Sequence, residues 1–178
     1  MFTLKTNRLE LIPLSSAQLQ RYLDSPDQLE QELNLHISRD VVTERVRRAI
    51  RMKIEKMAAA DEKRFAWHTY WLIVIAESSF GAGLAGFKGL PDERGQVEIG
   101  YGIDPSCQGQ GYITEAARAL IRWAFEESAC LSVVARDTKK WNTASLRVLT
   151  KVGMTVYEES EDAFCLRVER SAFALRGS

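Results

Sequence analysis

Two histidines and three cysteines are all the soft metal ligands in 178 residues, and Cys107, Cys130 and Cys165 stand far apart. That spacing does not fit a zinc centre, so no metal is expected. An odd, sparse cysteine set makes no disulfide framework either. It suits a reducing, cytoplasmic setting. No apolar run approaches the roughly 20 residues a membrane helix needs, and no leader pattern opens the chain. Charge of one sign is not in excess, because 24 Lys and Arg balance 24 Asp and Glu. With no global pull toward polyanions, neither nucleic acid nor a membrane is expected as a partner. Four prolines, no repeat and no low-complexity stretch leave no linker, so residues 1–178 are expected to form one domain.

What is present reads as a strand, helices, antiparallel strands, then strand–helix–strand–helix and a final hairpin, the order of a mixed α+β sheet rather than of a doubly wound fold. Arg8–Leu14 reads as a first strand, with Pro13 suited to its end. Ser15 or Ser16 can cap a helix to about Asp24, and Ser25-Pro26 can start another to about Leu35. Thr43–Met57 predicts a longer helix with Val46, Ile50, Ile54 and Met57 inward. Its outer face carries Arg45, Arg47, Arg48, Arg51, Lys53 and Lys56. Such a face can bind nucleic acid, or it can be a solvated surface interleaved with Glu44 and Glu55. Trp67–Glu77 and Gly83–Leu90 predict an antiparallel pair turning at Ser78–Phe80. Gly81–Gly86 spells the dinucleotide pattern GxGxxG, but Phe87–Pro91 follows it and cannot be the required helix. These glycines are expected to serve a hairpin and close strand packing.

The informative stretch is Asp104–Phe125, where a loop with Gly109 and Gly111 runs into an amphipathic helix. Free N–H groups at a helix start, next to glycines, are a recipe for holding phosphate. The strand leading into it, Val97–Ile103, alternates Val97, Ile99, Tyr101 and Ile103 against Glu98, Gly100 and Gly102. A carboxylate beside two missing side chains leaves room for something to lie against backbone; close helix packing would explain the glycines but not the Glu. Leu131–Ala135 predicts a strand, Arg136–Trp141 a polar loop, and Asn142 the N-cap of a short helix that stops at Gly153. Met154–Glu159 and Phe164–Glu169 predict a last hairpin, whose acidic turn (Glu158, Glu159, Glu161, Asp162) can face a cationic substrate or simply solvent.

E-I-G-Y-G-I-D-P, then Q-G-Q-G-Y-I-T-E-A, then W-N-x-x-S-x-x-V-L-x-K-V-G-M, in that order, resembles the GNAT superfamily of N-acetyltransferases, and its RimJ/RimL-like branch in particular. The opening T-N-R-L-E-L-I-P-L is similar to that branch as well. The resemblance implies an α+β, three-layer fold: a mixed, mostly antiparallel sheet of about seven strands, splayed at the cofactor cleft, with helices on both faces. It implies acetyl-CoA as cosubstrate and direct acetyl transfer to a primary amine, on a small molecule or a protein N-terminus, and it admits a homodimer. Gln108, Gly109, Gln110, Gly111, Tyr112, Ile113 and Thr114 would hold the pyrophosphate, although Ile113 stands where the family usually has Ala or Gly. Tyr101, Gly102 and Ile103 would line the pantetheine, with a backbone N–H there for the oxyanion, and Asn142 would bond the same arm. Glu98 is the candidate base, with an ordinary ion-paired strand carboxylate as its alternative. Ser145 is the candidate donor to the leaving thiolate, ahead of Tyr112 and Tyr157. Cys107 has no partner for covalent catalysis. A non-catalytic acyl-CoA-binding or regulatory module would carry the same loop.

Overall fold

The computed structural model describes residues 2–58, 61 and 64–174. The elements run β1 (Leu4–Lys5), β2 (Leu9–Pro13), α1 (Ser16–Asp24), α2 (Pro26–Leu33), β3 (His36–Ile37) and α3 (Glu44–Ala58). They continue α4 (Phe65–His68), β4 (Trp71–Ile75), β5 (Phe80–Phe87), β6 (Gln96–Ile103), a 3-10 turn at Pro105–Cys107 and α5 (Tyr112–Glu126). The chain closes with β7 (Ser132–Lys139), α6 (Thr143–Lys151), β8 (Thr155–Glu159), β9 (Ala163–Glu169) and α7 (Arg170–Ala174). The sheet order is β1-β2-β4-β5-β6-β7-β9-β8, with β3 pairing β5 at one end. Only β3–β5 and β6–β7 are parallel. Among the described residues nine strands stand where about seven were expected, because β1 and β3 are two-residue additions.

Alternation along the strands splits the core in two. Leu9, Leu11, Trp71, Ile73, Val97 and Ile99 pack against Ala116, Ala117, Leu120 and Ile121 of α5. Leu72, Val74 and Leu84 point the other way, to Leu19, Leu29 and Ile50 of α1, α2 and α3. Helices thus cover both faces, as the family resemblance implies. Ser15 caps α1 with a full capping box to Gln18.

Three local expectations change. The strand predicted from Trp67 begins at Trp71, after one turn of helix. That turn brings Trp67 and Trp71 onto Trp123, with ring centroids 4.6 and 5.2 Å away, and Trp71 Nε1 donates to the Ala66 carbonyl. Aromatic packing overrides β propensity there. The strand predicted at Gly83 starts at Phe80, and Gly81–Gly86 lie wholly within it. A Cβ at Gly83 would stand 2.4 Å from the Gly102 carbonyl oxygen, so close strand packing does require glycine there. The polar segment Arg136–Trp141 is mostly strand. β7 passes a bulge between Ala135 and Thr138, with Asp137 at φ 53°, and re-pairs with β9.

On the α3 side Lys53 turns inward. Its Nζ donates to the carbonyls of Phe87 (2.6 Å) and His68 (3.2 Å). Burial, with the charges of Lys56 and Lys88 nearby, pulls its pKa from 10.5 down to about 7. The unfolded chain therefore binds this proton up to about pH 10.5 while the folded chain releases it near 7. Between those values the unfolded state holds more protons, so stability rises with pH. In urea unfolding, the stability of the wild type minus that of Lys53→Met should climb from about pH 7 to about pH 10 and level off outside that window. A pH-independent difference would show that Lys53 is charged in the fold.

Candidate active site

The sheet opens at one place. β6 and β7 pair only at Gln96–Ser132, Val97–Val133 and Glu98–Val134, and then separate. β6 stays paired with β5 as far as Ile103. Lys88 N–H donates to the Glu98 carbonyl and Asp104 N–H to that of Ala82, which sets the alternation along β6. Even-numbered residues turn their peptide groups to β5. Odd-numbered residues turn theirs the other way: Ile99 closes the short ladder with β7, and Tyr101 and Ile103 face the side β7 has left. Gly102 therefore contributes an absent side chain rather than a donor. A Cβ on Gly100 would meet nothing within 4 Å, so helix packing does not account for that glycine.

Asp104 anchors the loop that follows. It accepts from Ser38 Oγ, from Ser106 Oγ and from Ser106 N–H, and these bonds, Ser106's first, hold its carboxyl below the usual range. Gly109 and Gly111 sit at φ 76° and 83°, conformations that favour glycine. No side chain caps α5, and its first intrahelical bond is Glu115 N–H to the Gly111 carbonyl. Among the described residues the N–H groups of Gly109 to Thr114 have no acceptor. The Gln108 N–H is taken by Pro105. Unused donors on a positive helix end fit a pyrophosphate. Ile113 is buried in the core under β6, so its β-branched side chain does not intrude on that cradle.

The N-terminal segment holds this loop in place, a contact invisible in the motif spacing. Glu115 accepts from Thr6 Oγ1 (2.6 Å), Arg8 N–H (3.0 Å) and Arg8 Nε (2.7 Å). Burial pushes the Glu115 pKa up, but the bonds from Thr6 and Arg8 outweigh it and hold the carboxyl low. The Arg8 guanidinium also lies 4.6 Å over the Tyr112 ring and donates from Nη1 to the Gln110 carbonyl at 3.0 Å. The Gln110–Gly111 peptide is trans, so its N–H points opposite to its carbonyl. Arg8 thereby turns the Gly111 N–H away from itself. A groove of about 740 Å3 between β1 and α5 shares Gly111 and Thr114 with the cradle but contains neither Tyr101 nor Ser145, so it adjoins the cleft without being it.

At the other end of the cleft Asn142 caps α6, accepting from the Ser145 N–H at 3.1 Å. Ser145 Oγ lies 3.0 Å from the Tyr101 hydroxyl. Burial raises the Tyr101 pKa and the Ser145 bond opposes it, so the phenol stays protonated. Sequence reasoning used Tyr101 only for its backbone; the hydroxyl pairing spans 44 residues and leaves no trace in spacing. Glu98 lies on the opposite face from Tyr101. Its side chain is 13% exposed and is held by Lys88 Nζ at 2.5 Å and Arg136 Nη1 at 3.7 Å. The acidic hairpin is partly neutralised, Glu159 by Lys140 and Asp162 by Lys139. Among the described residues no cluster of metal-ligating side chains occurs, and no helix is long and apolar enough to cross a membrane.

Residues 8–155 match the acetyltransferase (GNAT) domain family. The chain is 35% identical over 92 residues to the uncharacterized N-acetyltransferase YjdG of Bacillus subtilis (strain 168), covering 52% of this chain and 54% of that protein, about half its length. In fold it is similar to a ribosomal-protein-S5-alanine acetyltransferase from Vibrio fischeri, with TM-score 0.65 and 13% identity over 97% and 99% of the two chains. It is also similar to RimL, a ribosomal L7/L12 alpha-N-protein acetyltransferase solved in complex with coenzyme A, with TM-score 0.64 and 17% identity over 94% and 98%.

The Arg8 geometry makes a prediction about the cradle. Arg8→Ala and Glu115→Gln should each weaken coenzyme A binding by roughly tenfold in calorimetry, the size of one lost charge-assisted bond. Because the two residues act as a unit, the double variant should bind about as weakly as either single one. Unchanged affinity in Arg8→Ala would separate the clamp from the cradle.

Proposed function

The chain belongs to the GNAT acetyltransferase family, and from that premise we propose that it transfers an acetyl group from acetyl-CoA to a primary amine by direct attack in a ternary complex. The observation that carries this reading is the parting of β6 and β7 after Glu98, which leaves the peptide groups of Tyr101 and Ile103 facing a gap beside an uncapped helix start. Acetyl-CoA would supply the activated thioester. Its pyrophosphate fits the N–H groups of Gly109 to Thr114, and its extended arm fits the gap as an added strand. RimL is named an alpha-N-protein acetyltransferase, and the likeness in fold supports a protein α-amine as the favoured acceptor.

Each residue then has a task set by its face. Glu98, on the face with the open glycines, takes the proton from the incoming ammonium, directly or through water, and the freed nitrogen forms the new C–N bond. The N–H of Tyr101 or Ile103 donates to the carbonyl oxygen as its charge grows. On the other face Ser145 gives its proton to the sulfur as the C–S bond breaks, the Tyr101 hydroxyl at 3.0 Å is placed to replace it, and the second proton lost by the new amide nitrogen returns through water to restore the pair. Asn142 orders this end by holding the first turn of α6.

Free-thiol release from acetyl-CoA with a panel of amines tests the assignment. Glu98→Gln should lower kcat/KM about a hundredfold near neutral pH. That loss should shrink as pH passes the α-amine pKa of about 8, where the acceptor needs no base. Ser145→Ala should lower kcat more than it changes KM. Wild-type rates in both variants would overturn the site. A wild-type protein that binds coenzyme A yet releases no thiol with any amine would be a non-catalytic acyl-CoA-binding module.

A further inference from the structure

The charges around Glu98 say what kind of amine can use it. Resting on the reading above, in which Glu98 receives the acceptor's proton, we propose that the acceptor is an amine that carries its own carboxylate nearby, and that Lys88 and Arg136 are the groups that recognise it.

Glu98 is the only acid on the open face of β6, and it sits beneath two cations. Its side chain is 13% exposed, against 65% for Lys88 and 46% for Arg136, so an acceptor coming from solvent meets the cations first. The two carboxylate oxygens go to different partners, Oε1 to Lys88 and Oε2 to Arg136. Lys56 adds a third cation from α3, its Nζ 3.5 Å from the Lys88 carbonyl. Arg136 is also hydrogen-bonded to Tyr157 and reaches Gln96 Oε1 at 3.4 Å, and Asp92, the other acid that acts on it, already accepts the N–H groups of Arg94 and Gln96 at Oδ1. A chain with no net charge therefore presents a locally cationic rim over its candidate base. The same arrangement gives the basic side of α3 a place in the site through Lys56.

Simple electrostatics then separates acceptor classes. A polycation such as a polyamine is repelled at the rim and leaves Glu98 locked between Lys88 and Arg136. A carboxylate on the acceptor binds those two cations and competes them away from Glu98. The released carboxylate then has both oxygens open to the acceptor's ammonium. The ammonium proton then passes to a Glu98 oxygen, and the amine is ready to attack. The bridging carboxylate can come from a free α-amino acid or from an acidic residue at the start of a peptide. The chemistry is shared, and the experiment separates the sources.

The test uses the full-length wild-type protein, acetyl-CoA and free-thiol release. Peptide acceptors would be three tripeptide amides that differ only in an Asp, Asn or Lys side chain at the second position. Free aspartate and spermidine complete the panel. The Asp peptide or free aspartate, whichever is the source, should exceed the Asn peptide and spermidine in kcat/KM by about tenfold or more, as one added charge pair near a protein surface allows. The advantage should fall as salt screens it. Lys88→Gln should raise KM for the acidic acceptor and so narrow its advantage over the neutral one, an acceptor-dependent change that a merely structural role for Lys88 would not give. Equal kcat/KM across acidic, neutral and cationic acceptors, or a preference for spermidine, overturns the inference while leaving acetyl transfer intact. No thiol release with any of them, despite coenzyme A binding, overturns acetyl transfer itself and this inference with it.

Discussion

Everything in this molecule that bears on chemistry depends on two parallel strands failing to stay together. β6 and β7 share three residue pairs and then diverge, and the free edge of β6 faces the gap. A buried strand edge is costly unless something completes it. The open glycine at position 100 and the uncapped start of α5 stand next to that edge. Unused backbone donors in two adjoining places suit one long ligand with an extended arm and an anionic end better than two small ones.

Rigidity around the gap comes from elements distant in sequence. Arg8 and Thr6 fix the first turn of α5 through Glu115, Ser38 fixes the loop entry through Asp104, and Tyr101 fixes Ser145. Each contact has one partner on the β6–α5 stretch and the other on an element that a short motif does not reach. A loop rich in glycine has little order of its own. These side-chain anchors tie both ends of the loop to the rest of the fold.

Charge shows a similar division between global and local. The chain is neutral overall, yet Lys56, Lys88 and Arg136 gather over Glu98, and Lys53 beside them is buried against backbone carbonyls. The acidic hairpin, whose sequence allows either a cationic substrate or solvent, spends Glu159 and Asp162 on Lys140 and Lys139. Ion pairing redistributed the charges that composition could only count.

The sequence by itself determined the helix starts at Ser15 and Asn142, the glycine turn at Gly109–Gly111, and the alternation of β6, because these depend on residues within a few positions of one another. It also sufficed to reject Gly81–Gly86 as a nucleotide loop, since no helix can follow it. Only the tertiary structure decided where aromatic packing would replace strand with helix, as at Trp67, and where β7 would bulge and continue, as at Asp137. It alone turned Ile113 inward, paired Tyr101 with Ser145, and set Glu98 between two cations. The physical reason is range. Capping, turn conformation and alternation act along the chain, whereas the direction of a side chain and the charges around it depend on neighbours that folding brings in from up to 109 residues away, as it does for Thr6 and Glu115.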